Sequence, residues 1–451
     1  MAILRAIRDS TKAGALTAAQ IAKMVTLLAA TVLLGRALGP ESVGNFSILL
    51  TFSTILQVTT LGGLAGAALH RLLDRSNTDD DPLNPIIGAR LILIPPLFLG
   101  GAIAYYLTSG ADLEMFPVCI FFLGYAIGSF DVPEILLSSQ GKFMKIGMNR
   151  IIVVAILCGP KLWMAGTGNL GGLVLVQAVE AALWQLCLFP ASKITRRSIS
   201  GSARDLRAGL RQLAEFRKLW ASGVVATVST RIDVILVGVL AGTFAAGQYA
   251  TASRIVEALT LLAVALSTVR FNALIEASND SRRYLAESGS FARLMVGIGV
   301  TSMVVLALAG PPMVIILYGN EFAPAASVLA LYSLTAVPIF YRQFISRVLI
   351  IERSYGLSLA CNVFTLALNV SLNLTLVPQF GAMGAATAAV LTYPLGIIIP
   401  FMATRNGRDI LSLSALTIVG THMRAKTAAT RLVHERSNNA SFQNTRAIKA
   451  G

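Results

Sequence analysis

Twelve apolar runs, each about as long as a bilayer is thick, constrain this chain more than any other feature. They lie at residues 13–34, 43–68, 86–108, 116–138, 147–167, 170–190, 219–241, 246–271, 291–318, 325–349, 356–377 and 382–403. A membrane-crossing helix takes about 20 apolar residues. In hydrocarbon the backbone has no water to bond to, so a run of this kind spans as a helix. Charged residues make up only 13% of the 451, against about 25% in a soluble domain. The chain is therefore expected to be an all-α polytopic membrane protein.

The net charge is +15. In a soluble protein that would suggest a nucleic acid, but here the basic residues follow the loops. The N-terminus holds Arg5, Arg8 and Lys12; alternate loops hold Arg71 and Arg75, Lys142 and Lys145, then Lys193, Arg196, Arg197, Arg204, Arg207, Arg211, Arg217 and Lys218, then Arg282 and Arg283, and Arg353. The tail continues with Arg405 and Arg408. The intervening loops hold little beyond Arg36. Cytoplasmic loops are enriched in Lys and Arg, so both termini are expected on the cytoplasmic side, with lipid rather than nucleic acid as the partner of these charges. Residues 1–12 read as an amphipathic surface helix, with Ile3, Leu4 and Ile7 against Arg5, Arg8 and Lys12. A cleaved signal is disfavoured, because Gln20 and Lys23 interrupt the first run and further spans follow directly.

An internal repeat divides the chain. Gly39-Pro-Glu-Ser-Val-Gly44-Asn-Phe46 and Gly242-Thr-Phe-Ala-Ala-Gly247-Gln-Tyr249 both fit G-x4-G-x-aromatic, 203 residues apart. The same offset carries the first span onto the seventh. The glycines suit a tight turn with positive φ, and the aromatic suits the interfacial belt. The expected organisation is an amphipathic segment 1–12, a six-helix bundle 13–190, a basic cytoplasmic connector 191–218, a second six-helix bundle 219–404 and a basic tail 405–451. Two such bundles, twelve transmembrane helices in all, place a central cavity between repeats.

Charges inside the spans are the candidate functional groups. Arg231 and Asp233 lie mid-way along the seventh span, Arg254 and Glu257 in the eighth, Lys23 in the first, Glu180 in the sixth and Arg342 in the tenth. A charge at that depth costs at least about 2.5–3.5 kcal/mol on insertion scales, so each must face a partner, an aqueous cavity or a substrate. Across the Gly242 turn, Arg231 matches Glu257 in depth and Asp233 matches Arg254, within about 2–3 Å at the helical rise. Arg231 and Asp233 point to nearly opposite faces, so the two cross-hairpin pairs do not easily form together. Asp131 and Glu134 flank Pro133 near the cytoplasmic end, within reach of water. Asn362, Asn369 and Asn373 share one helical face, where hydrogen bonding between helices outweighs sugar contact.

Nothing in the sequence points to a catalytic centre, a metal site or a cofactor. Cys119, Cys158, Cys187 and Cys361 sit in apolar runs and read as small buried side chains. Asp79-Asp80-Asp81 reads as a solvated loop beside Asn77 and Pro82.

Three stretches resemble the polysaccharide-exporter and oligosaccharide-flippase family: LLGRALGPESVGNFSILLTFSTILQVTTLGGLAGAALHR, YGNEFAPAASVLALYSLTAVPIF and LNVSLNLTLVPQFGAMGAATAAVLTYPLG, the last with Asn369, Asn373, Pro378, Gly381 and Gly384-Ala385-Ala386. Multidrug-and-toxin extruders and lipid II flippases belong to the same superfamily. The resemblance implies a flippase, not an enzyme, that moves an undecaprenyl-diphosphate-linked oligosaccharide across a bacterial inner membrane by alternating access, for surface polysaccharide synthesis. It also implies polysaccharide polymerase and export machinery as candidate partners. Within that reading Lys23, Arg231, Arg254 and Arg342 are the cations that would attend the diphosphate, since guanidinium forks match phosphate oxygens. Asp233, Glu257 and Glu180 are coupling or ion-pair acids. Where this family often has a proline at the end of span 8, this chain has Arg270-Phe271-Asn272. The alternatives are a cation-coupled drug extruder, with a more apolar cavity, and a membrane glycan polymerase, disfavoured by the short external loops.

Overall fold

A computed structural model describes residues 2–61, 83–109, 114–192, 206–352, 354–405 and 407–412. Arg71, Arg75, the Asp79–Asp81 run, the basic residues from Lys193 to Arg204, Arg353 and the tail beyond residue 412 lie outside them, as do the side chains of the 1–12 segment. Among the described residues the regular structure is helical, with no strand. The principal helices are α1 (Ala2–Leu61), α2 (Leu83–Ser109), α3 (Met115–Gly128), α4 (Val132–Ser139), α5 (Phe143–Gly166), α6 (Leu170–Leu186), α7 (Leu206–Glu276), α8 (Ser281–Tyr318), α9 (Ala323–Tyr332), α10 (Ala336–Ile351) and α11 (Tyr355–Ala403).

Among the described residues nine helical stretches are long and apolar enough to cross a membrane. Three of them, in α1, α7 and α11, are broken at Gly39, Gly242 and Gly381, where φ is 77°, 86° and 56°. Each of the three carries two of the expected runs, so the nine stretches accommodate all twelve. The Gly242 break reverses the chain: Tyr249 Oη donates to Asp233 Oδ2 at 2.9 Å, whereas 16 residues of straight helix would hold the two about 24 Å apart. Gly39 and Gly242 also share ψ near the extended limit, −175° and 169°. A β-carbon would strain such a backbone, so the repeat in the sequence is a repeat in conformation. The aromatic residues of the repeat lie elsewhere than the interfacial belt. Phe46 and Tyr249 are buried within the protein, drawn in by packing and by the Asp233 hydrogen bond.

By their contacts the residues form two compact units. The first is Met1–Ala250 with Leu317–Phe322, and the second is Thr251–Ile316 with Ala323–Gly451. In the first, α1 packs along α5 and α3 along α6. Gly124 and Gly128 bring α3 so near α6 that a Cβ on either would overlap the carbonyl oxygens of Ala178 and Ala181. Small residues at four-residue spacing allow this approach between membrane helices. In the second unit Tyr284, Phe291, Phe340, Phe344 and Phe401 build one apolar core, with the Phe291 and Phe344 rings edge to face at 5.3 Å. Large apolar side chains such as Leu107, Val269, Leu308 and Met402 point outward, while several charged ones are buried. That inversion suits a protein whose solvent is lipid.

Candidate functional site

The chemically distinctive groups are ionisable side chains inside apolar helices, and in the first unit they occur in matched sets. Arg90 on α2 is buried. Its Nε donates to Asp131 Oδ1 at 2.7 Å, its Nη2 to Asp131 Oδ2 at 3.1 Å, and its Nη1 to the Thr60 carbonyl. The fork uses both carboxylate oxygens. Asp131 is thus dry and paired instead of water-facing. Ile86 and Ile87 on α2 pack with Val132 and Ile135 on α4 and close the site over.

A second set runs along α6, where Gln177, Glu180, Trp184 and Gln185 recur at helical spacing on one side. Gln177 Nε2 donates to Tyr125 Oη at 3.2 Å. Glu180 Oε2 accepts from Lys161 Nζ on α5, and both side chains are 1% exposed. The Trp184 ring carries two cations, Lys23 Nζ at 3.9 Å and the Arg150 guanidinium at 4.6 Å from its centroid. Arg150 Nη2 donates to both oxygens of Glu134 at 2.7 Å, and Gln185 Nε2 donates to Glu134 Oε2 at 3.1 Å. Exposure rises along this seam to 17% and 25% at Arg150 and Glu134. Its dry end is therefore Lys161–Glu180 and its wetter end Glu134–Arg150.

The structure brings two of the seven sequence-derived site residues, Lys23 and Glu180, into that seam. Arg231 is half-buried on the first arm of α7, and Asp233 is buried two residues on, held by Tyr249. Arg254 and Glu257 are half-buried on the second arm, in the second unit. There Arg342 on α10 donates from Nη2 to Asn362 Oδ1 on α11 at 2.6 Å. The partner is a neutral amide, so that contact leaves the guanidinium charge uncompensated. Asn373 Nδ2 bonds within α11, to Asn369 Oδ1 at 3.1 Å and to the Asn369 carbonyl at 2.9 Å. Of the three asparagines, Asn362 makes its contact across helices and the Asn369–Asn373 bonds stay within one.

Arg90, Arg150 and Lys161 complete these sets although none was singled out from sequence. Each interrupts an apolar run, which is the signal that marks it. The cysteines differ from expectation: Cys361 is buried, whereas Cys119 and Cys187 are exposed on the helical surface, and all four are free thiols.

Fold and site together define a multi-pass helical membrane protein with charges sequestered inside its bundles. The chain belongs to the polysaccharide biosynthesis protein family, whose model matches residues 33–327, well over half its length. It is 28% identical over 182 residues to a probable flippase, AglR, of Haloferax volcanii; the match spans 38% of this chain and 37% of that protein. Its fold is similar to that of the lipid II flippase MurJ in an inward closed conformation, with a TM-score of 0.66 and 15% identity over 95% of this chain and 99% of that one. It is also similar to an inward-facing multidrug resistance MATE family transporter of the MOP superfamily, with a TM-score of 0.64 and 16% identity over 88% of this chain and 96% of that one.

Proposed function

We propose that this protein is a flippase that carries an undecaprenyl-diphosphate-linked oligosaccharide across a bacterial inner membrane by alternating access, for surface polysaccharide synthesis. The membership of residues 33–327 in the polysaccharide biosynthesis family carries this reading, and the probable-flippase relative and the MurJ-like fold support it. In this reading two six-helix halves, 13–190 and 219–404, move about a central cavity, with both termini in the cytoplasm and a polymerase and export machinery downstream. Arg342, bonded to a neutral amide, and Lys23, resting on an aromatic face, keep charge to offer a diphosphate. Arg231 and Arg254 complete the cationic set. Asp233, held by Tyr249, and Glu257 tune these cations. Glu180, matched to Lys161, is an ion-pair acid that holds α5 against α6.

The likeness to a multidrug MATE transporter favours a second reading, a cation-coupled drug extruder. Deleting the gene and measuring which leaflet holds the lipid-linked glycan separates the two. The flippase reading expects glycan to build up on the cytoplasmic leaflet, with rescue by the wild-type gene and weaker rescue by Arg342→Ala. Normal glycan export together with lost drug resistance would establish the second reading instead.

A further inference from the structure

Helices α1 and α7 touch at two levels and leave a space between them. Near the Gly242 break, Ile48 packs where a Cβ on Gly238 would lie. Near the end of α1, Trp220 Nε1 donates to the Thr59 carbonyl at 2.6 Å. Between these contacts α2 forms the back wall of a groove of about 360 Å³, lined by Phe52 and Leu56 of α1, Gly100 and Ala104 of α2, and Val228 and Ile235 of α7. All of these residues belong to the first compact unit. Gly100 keeps the groove open. A Cβ there would meet nothing within 4 Å, whereas the neighbouring Gly101 is covered by Leu56.

Depth, size and charge say what the groove takes. Its lining residues fall in the apolar runs 43–68, 86–108 and 219–241, so an occupant lies in the hydrocarbon layer and is no soluble partner. Ile48 and Thr59 are 11 residues apart, about 16 Å of helix. A partner helix of that length, 10–12 Å wide, would need more than about 1,000 Å³, so the groove admits one extended chain and no helix. The lining side chains are apolar, but a cation stands beside them. Arg231 is one helical turn from Val228 and one from Ile235 on the same face, and so flanks the groove midway along its length. An apolar chain that carries an anionic head suits both features.

We propose that this groove holds the prenyl chain of the cargo while Arg231 meets its diphosphate. The proposal rests on the flippase reading above. A head group at mid-depth is far from either interface, and its chain can no longer lie along the leaflet it came from. A groove beside a mid-span cation gives the chain a path in hydrocarbon while the head is inside the protein. The contacts at Gly238 and Thr59 fix α1 against α7 above and below, so the groove is built into the unit.

The test uses the full chain in vesicles. Gly100→Leu fills the groove at a point with room for the side chain, so the fold should hold, and Gly159→Leu on α5 is the control, an exposed glycine in equally open space. Gly100→Leu should slow movement of an undecaprenyl-diphosphate-linked oligosaccharide by at least about tenfold, the scale of a few methylenes expelled from a fitted site. The same glycan diphosphate on a short prenyl chain should move near the wild-type rate, and Gly159→Leu should move both cargoes normally. Equal slowing of the two cargoes by Gly100→Leu, or slowing of neither, would overturn the groove. A photoreactive side chain in place of Ala104 gives a reading that needs no transport. In phosphatidylethanolamine vesicles that contain undecaprenyl diphosphate, its adducts should be enriched in the prenyl lipid over the bulk ratio, and less so when Arg231→Gln is added. The same side chain in place of Gly159 should follow the bulk ratio. Adducts at Ala104 that follow the bulk ratio would mean that bilayer acyl chains fill the groove, and would refute the proposal even in a chain shown to be a flippase. Enrichment in a chain that moves no glycan would leave the prenyl site standing and remove the flippase reading.

Discussion

Lys161→Met isolates the energetics of the dry end of the seam. Both members of the Lys161–Glu180 pair are 1% exposed, and Glu180 Oε1 has no hydrogen bond. The variant therefore leaves a carboxylate in the bundle with its principal partner replaced by a methyl group. Removing one partner of a buried pair costs about 3–5 kcal/mol, or between about two and four powers of ten in the folded-to-unfolded ratio. The double variant Lys161→Met/Glu180→Leu removes both charges and fills the same space, so it should recover most or all of that loss. Glu287→Gln is the control. Its partner Arg270 is 3.8 Å away and the two side chains are 37% and 40% exposed, so its loss should stay under about 1 kcal/mol. The assay is the fraction of detergent-solubilised protein that remains monodisperse after heating, read as a rank order because such unfolding is commonly irreversible. The expected order is double variant near wild type, then Glu287→Gln, with Lys161→Met far below. Lys161→Met as stable as Glu287→Gln, or a double variant worse than the single, would refute the buried-pair account.

Three further outcomes follow from the geometry. Gly124→Val should push α3 from α6, since its Cβ would overlap the Ala178 carbonyl; overpacking of this kind costs about 1–3 kcal/mol and should appear in the same heating assay. Gly242→Ala should lose about 1–2 kcal/mol because φ is 86° there, whereas Gly356→Ala, with open space around it and ordinary helical φ, should hold or gain stability. Arg342→Ala should slow transport in vesicles while shifting heat stability by no more than the roughly 1.5–3 kcal/mol of one hydrogen bond from a charged group, and Arg342→Lys should retain part of the rate by keeping the charge without the fork.

The spans were legible because bilayer thickness fixes a length that the sequence repeats, and the breaks at Gly39 and Gly242 were legible because few residues tolerate positive φ. Pairing was harder to read. Arg231, Asp233, Arg254 and Glu257 drew notice through their nearness along the chain, yet one of the groups that hold Asp233 is the neutral Tyr249, which a tally of charges does not weigh. Lys161 and Glu180 lie 19 residues apart on different helices, and Arg90 and Asp131 lie 41 apart. Which helix faces which is decided by small-residue contacts such as Gly124 on Ala178, and these carry no charge signal.

The most direct measurement is reconstitution of the purified chain in vesicles that carry an undecaprenyl-diphosphate-linked oligosaccharide, followed over time by a reagent that modifies only outward-facing glycan. The account predicts protein-dependent movement of glycan between leaflets, slowed by Arg342→Ala and unchanged by Glu287→Gln. Vesicles in which the glycan stays in its original leaflet while a cationic drug is moved against its gradient would contradict it.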